Sequence, residues 1–176
     1  MTSESPLKDT VVLVVDDEPD ILEIVEEELD MCLVHKAQDY DTALQYLLSY
    51  TYDVVILDIM GVNGFDLLKI ARTRDIPALM LTAHALSEEN LKKSAEEGAL
   101  YYAPKDEMNK IHLFVADLIE AKKKNSNVWV KWFERLGGYF DKRFSGPNWR
   151  EKHKEFWDKK LKEYEGSHLS KNGFRN

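Results

Sequence analysis

The chain is nearly devoid of cysteine: Cys32 stands alone in 176 residues. One thiol excludes a disulfide framework and fits a reducing compartment. Long apolar runs are missing as well. VVLVV (11–15) stops at Asp16, far short of the roughly 20 residues that a membrane-spanning helix needs. The opening MTSESPLKDT carries neither a basic stretch nor an apolar one, so no secretory signal is read there and a soluble, cytoplasmic protein is expected. Basic residues are scarce up to residue 120, where 9 Lys and Arg face 25 Asp and Glu, and tryptophan is absent from that part.

The remainder reverses this balance. Residues 121–176 hold 15 basic against 7 acidic side chains, so a part of charge −16 joins a part of charge +8. All four tryptophans (Trp129, Trp132, Trp149, Trp157) lie in the basic part. The polar run AKKKNSN (121–127) reads as the boundary. The expected organisation is a domain over 8–122, a linker at 123–127, a basic, aromatic-rich two-helix extension at 128–165 and a frayed tail at 166–176.

Within the acidic part the hydrophobic period alternates. VVLVV (11–15), CLVH (32–35), DVVILD (53–58), ALML (78–81) and ALYY (99–102) read as strands. Helical spacing separates them, as in Ile21, Leu22, Val25 and Leu29. It is clearest in Ile111, Phe114, Val115, Leu118 and Ile119, with Asp106 as the expected N-cap. Five strand–helix pairs predict an α/β fold, a doubly wound five-stranded parallel sheet whose ligand site lies beyond the carboxyl ends of the strands.

That rule gathers the polar residues. Asp16 and Asp17 end the first strand, Asp58 the third and Thr82 the fourth, and Lys105 follows the fifth. Taken singly, each has a plain explanation: helix cap, turn acid, turn hydroxyl, solvated charge. Taken together they form one site. Three carboxylates offer hard oxygen donors for Mg²⁺, and Thr82 and Lys105 offer donors to the oxygens of a phosphoryl group.

Residues 8–122 resemble the receiver domain of bacterial two-component response regulators, through VVDDEPD, VILDIM, GFDLL, PALMLTA and EEGALYYAPK in family order. The resemblance implies the flavodoxin-like receiver fold. It makes Asp58 the acceptor of a phosphoryl group from a sensor histidine kinase or phosphotransfer protein. It also implies Mg²⁺ held by Asp17, Asp58 and the Met60 backbone carbonyl, with Asp16 acting largely through water. Thr82 and Lys105 would then contact the phosphoryl oxygens, and Tyr102 would occupy the aromatic switch position, rotating toward the core as Thr82 moves. Met60 and His84 would sit at the rim and control water attack on the adduct. Such a protein is a switch and not a turnover enzyme: self-catalysed phosphotransfer and slow autodephosphorylation are its only expected reactions. Two departures from the family pattern stand out. The loop Asp58-Ile-Met-Gly-Val-Asn-Gly64 is shorter than usual and lacks its proline, and Pro104 precedes the lysine where a proline commonly follows it.

In the extension, Trp129, Trp132, Phe133, Leu136, Phe140 and Phe144 share a helical stripe, with Gly137-Gly138 as a weak point or break. Asn148 with Glu151 resembles a capping box opening a second helix marked by Trp149, Phe156, Trp157, Leu161 and Tyr164 and ending near Gly166. Such stripes are packing surfaces. They are expected to dock on a receiver domain, their own or that of a second chain. A homodimer through the helical tail, or through the face formed by the fourth helix, fifth strand and fifth helix, is the associated expectation. His153 and His168 read as solvated side chains. The alternatives are a regulator that binds nucleic acid through the basic tail, tail attachment to a membrane surface, a receiver-like scaffold that is never phosphorylated, and an aspartate-nucleophile phosphohydrolase. The last would need an Asp-x-Asp after the first strand, which DDEPD does not supply.

Overall fold

A computed structural model describes residues 5–162. The β-branched runs pair as a five-stranded parallel sheet in the order β2-β1-β3-β4-β5. Its strands are β1 (Val11–Val15), β2 (Leu33–Ala37), β3 (Val54–Leu57), β4 (Ala78–Thr82) and β5 (Tyr101–Pro104). This is the flavodoxin-like, doubly wound order. The alternating helices are α1 (Pro19–Glu28), α2 (Tyr40–Ser49), α3 (Gly64–Thr73), α4 (Glu88–Glu96) and α5 (Ile111–Lys124). Central strands β3 and β4 are buried along their whole length, as a sheet covered on both faces requires. The register Val15↔Leu57 and Leu57↔Met80 levels the strand ends, so the residues after them share one edge.

Local chemistry sets the helix ends. Asp39 caps α2 by accepting from the Thr42 N–H at 2.8 Å, and Ser87 caps α4 by accepting from the Asn90 N–H at 3.0 Å. At the end of α4, Gly98 takes φ +103° and the Ala99 N–H reaches back to the Ser94 carbonyl at 2.9 Å. That closing turn consumes Ala99 and Leu100, so β5 starts two residues later than the apolar run suggests. Asp106 is not an N-cap. It lies inside a 3₁₀ turn, Lys105–Lys110, and α5 begins beyond it. Peptide bonds among the described residues are trans, Ala103–Pro104 included.

The chain divides into two compact units after Ile119. The second holds the three lysines of the polar run as the last turn of α5, then α6 (Val128–Arg143), α7 (Asn148–Lys152) and further helical residues at 154–162. Asn127 caps α6, accepting from the Trp129 N–H at 2.9 Å, while its amide donates to the carbonyls of Lys160 and Leu161. Gly137-Gly138 does not break α6. A Cβ at Gly137 would lie 2.6 Å from Arg150 Nη2, so the glycine makes room for that side chain. Arg150 and the Trp149 indole N–H both donate to the Asp141 carboxylate, at 2.8 to 3.0 Å.

Two expectations for this unit fail. The cap of α7 is Pro147, with no side-chain cap from Asn148, and the second helix is interrupted at His153. The interruption has a packing reason. Eight residues along one straight helix separate side-chain origins by about 12 Å, yet the Trp149 and Trp157 rings lie 5.9 Å apart, and both meet Trp132. All four tryptophans are buried, and their rings meet one another and Phe133 and Phe140. Tyr164, Gly166, His168 and the 166–176 segment lie outside the described residues. No helix among the described residues is long and apolar enough to cross a membrane.

Trp132 is fully buried at the centre of this aromatic core. Trp132→Ala is expected to destabilise the unit by about 3–5 kcal/mol. Denaturant unfolding followed by tryptophan fluorescence reads this unit alone, because the other holds no tryptophan.

Candidate functional site

The levelled sheet edge brings together residues from four strands. Asp16 and Asp17 leave β1, Asp58 leaves β3, Thr82 closes β4 and Lys105 leaves β5. Strand order reverses between β1 and β3, so the three aspartates flank the point where open α/β sheets take ligands.

Lys105 is the cation of the group. Its ammonium lies 2.8 Å from Asp16 Oδ2, 3.2 Å from Glu18 Oε1 and 3.6 Å from Asp58 Oδ2. Asp16, Asp58 and Lys105 are all buried. Burial pulls the Lys105 pKa down, but hydrogen bonding to Asp16 and the charges of Asp16 and Asp58 outweigh it, and the net direction is up. Burial also raises Asp16, opposed by hydrogen bonds from Lys105 and the Glu18 N–H. Asp58 is pushed up to about 6, first by burial and then by the charge of Asp16, while Lys105 pulls the other way and Asp17 adds to the rise. One ammonium therefore faces more carboxylate charge than it can balance.

Ligand oxygens of Asp16, Asp17 and Glu18 lie within 4.8 Å of one another. Glu18 had no assigned role in the sequence reading, although it stands in the same DDE run. Its contact with Lys105 joins residues 87 positions apart and carries no local sequence signal. Asp17 is exposed and lies against Gly61 of the β3–α3 loop. Met60 projects outward with a 56% exposed side chain, and His84 is exposed as well.

Thr82 and Tyr102 are both buried, and their hydroxyls meet the backbone of one residue, Ala85. The Thr82 hydroxyl accepts from the Ala85 N–H at 3.2 Å, and the Tyr102 hydroxyl donates to the Ala85 carbonyl at 2.9 Å. Tyr102 thus already lies on the core side, and its phenol pKa is raised by that burial. Asn90 Nδ2 donates to the same carbonyl at 3.0 Å, tying the first turn of α4 to this hub.

A family model described as the response regulator receiver domain matches residues 12–116, more than half of the chain. The chain belongs to that family. It is 39% identical over 88 residues to the heme response regulator HssR of Staphylococcus saprophyticus, covering 46% of this chain and 38% of that one. It is 38% identical over 102 residues to the phosphate regulon transcriptional regulatory protein PhoB of Klebsiella pneumoniae, covering 53% and 44%. The chain thus spans less than half the length of these curated relatives. Among solved structures, response regulator protein TrrA from Thermotoga maritima, in complex with Mg(2+)-BeF, is 32% identical with a TM-score of 0.54, covering 62% of this chain and 98% of that one. The protein is a receiver domain of two-component signalling followed by a helical extension.

The raised Asp58 pKa has a stability consequence with a definite sign. Its carboxylate form is disfavoured by folding, so the contribution from protonated Asp58 is present below about pH 4 and is lost as pH rises through about 6. In metal-free buffer, Asp58→Asn is expected to exceed wild type in stability at pH 7 by on the order of 2 kcal/mol, with the gap closing toward pH 4. Denaturation midpoints across that pH range check it.

Proposed function

We propose that this receiver works as a phosphorylation switch with Asp58 as acceptor. The observation that carries the reading is the excess of carboxylate charge around Lys105, 2.8 Å from Asp16 and 3.6 Å from Asp58, at the sheet's switch point. The donor is a phosphohistidine on a sensor histidine kinase or a phosphotransfer protein. An Asp58 carboxylate oxygen attacks phosphorus, and the P–N bond to the donor imidazole breaks. Its electron pair stays on the nitrogen, which takes up a proton, and an acyl phosphate forms on Asp58.

The donor set suits Mg²⁺: hard oxygens from Asp16, Asp17 and Asp58, together with the Met60 carbonyl, in a site short of positive charge. When bound, the cation neutralises charge on the transferring group and its acceptor. Lys105 and the Thr82 hydroxyl bind the remaining phosphoryl oxygens. The likeness to TrrA, whose structure contains Mg(2+)-BeF, supports this arrangement. Drawing the Thr82 hydroxyl toward the new phosphate takes it from the Ala85 N–H and disturbs the residue whose carbonyl Tyr102 and Asn90 hold. The signal then emerges on the face of α4, β5 and α5, as a two-state rearrangement.

Incubation with Mg²⁺ and acetyl phosphate, read by intact mass, is expected to give one phosphoryl adduct. Asp58→Asn or chelation of the metal abolishes it. Continuous release of phosphate would indicate a phosphohydrolase, and an unreactive protein a scaffold. Either result rejects the switch.

Exposed Met60 gives an attacking water no hydrogen-bond partner, so the adduct decays slowly. Met60→Asn is expected to shorten its lifetime, measured by the same mass assay after the donor is removed.

A further inference from the structure

We infer that Gly61 is a positioning residue for the cation, acting on two of its proposed ligands at once. This rests on the Mg²⁺ reading above. The loop from Asp58 to Gly64 is short and has no proline, and two glycines close it. At Gly64 a Cβ would coincide with the Asp58 backbone carbonyl, so α3 starts directly against the acceptor's own peptide. Gly61 solves a different problem. A Cβ there would lie 2.6 Å from Asp17 Cγ and Oδ2 and 2.8 Å from Oδ1. The bare Cα of residue 61 is therefore the surface against which the Asp17 carboxylate rests.

The second link is the backbone. Gly61 takes φ +85°, a conformation that side-chain-bearing residues adopt only under strain. That angle sets the direction of the Met60–Gly61 peptide, whose carbonyl is the proposed backbone ligand. A residue with a Cβ must either keep φ and displace Asp17, or relax φ and turn the Met60 carbonyl. Both routes spoil the donor set. What yields most easily is the end of a short, exposed acid side chain, so the damage falls on metal binding more than on folding. The shortened loop thereby trades the usual proline-braced turn for a glycine that touches the metal ligand.

The test is a Mg²⁺ titration of the full chain by calorimetry, with melting temperatures recorded with and without the ion. Gly61→Ala is expected to weaken Mg²⁺ binding about 10–100-fold, in the range for residues that orient metal ligands. At saturating Mg²⁺ its phosphorylation rate by acetyl phosphate recovers toward wild type. Gly138→Ala, at an open helical position where a Cβ meets nothing within 4 Å, leaves Mg²⁺ binding unchanged. Should Gly61→Ala fold poorly, the Asp17→Ala background decides. The loss of melting temperature caused by Gly61→Ala shrinks there if the clash with Asp17 is its source. Equal Mg²⁺ affinity in wild type and Gly61→Ala, or a loss of melting temperature independent of residue 17, overturns the role of Gly61. A wild-type protein that does not bind Mg²⁺ overturns the metal reading itself.

Discussion

Everything at the working edge of this receiver depends on a charge imbalance that the fold creates and does not relieve. Parallel strands β1 and β3 deliver Asp16, Asp17 and Asp58 to neighbouring positions, because both end at the same level of the sheet. Lys105 answers from β5, yet it lies closest to Asp16 and only 3.6 Å from Asp58. The result is an Asp58 carboxyl held near pKa 6. A cation placed beside such a group would favour its carboxylate form.

At the same edge, Thr82 meets the rest of the domain through the backbone of one residue and not through a side chain. Ala85 offers its N–H to Thr82 and its carbonyl to Tyr102 and Asn90. These two groups belong to the peptide units on either side of one Cα, and the carbonyl is doubly engaged. A displacement of Ala85 would therefore reach β5 and the first turn of α4. This is a contiguous physical link, and its members can be altered one at a time.

The architecture and the convergence of Asp16, Asp58, Thr82 and Lys105 on one sheet edge were legible because they rest on period and on strand ends. Five apolar runs separated by helical spacing admit little but a doubly wound sheet, and the site follows from where the runs stop. Glu18, Gly61 and Ala85 were not legible in the same way. Glu18 sits one residue beyond the acid pair, and its contact with Lys105 spans 87 positions of sequence. Gly61 reads as an ordinary loop glycine until its Cα is seen against Asp17. Ala85 acts only through its backbone, which carries no residue-type signal at all. In the extension, the aromatic spacing correctly marked buried faces, but it could not say what buries them. The break at His153 lets the second segment fold back and close that core.

That closure changes what the extension can present. An aromatic and basic segment reads nucleobases by stacking when its rings are exposed, whereas here every tryptophan is inside. The small unit gains a core from rings that fill volume with few residues, and Asp141 satisfies the polar edge of one of them, the Trp149 indole. Lys122, Lys123, Lys142, Arg143 and Lys159 remain exposed on its surface. Any attraction these charges exert would weaken as ionic strength rises. The two units of the chain thus differ in their physics: one keeps buried negative charge that a single lysine does not balance, and the other buries its tryptophans and leaves lysine and arginine side chains outside.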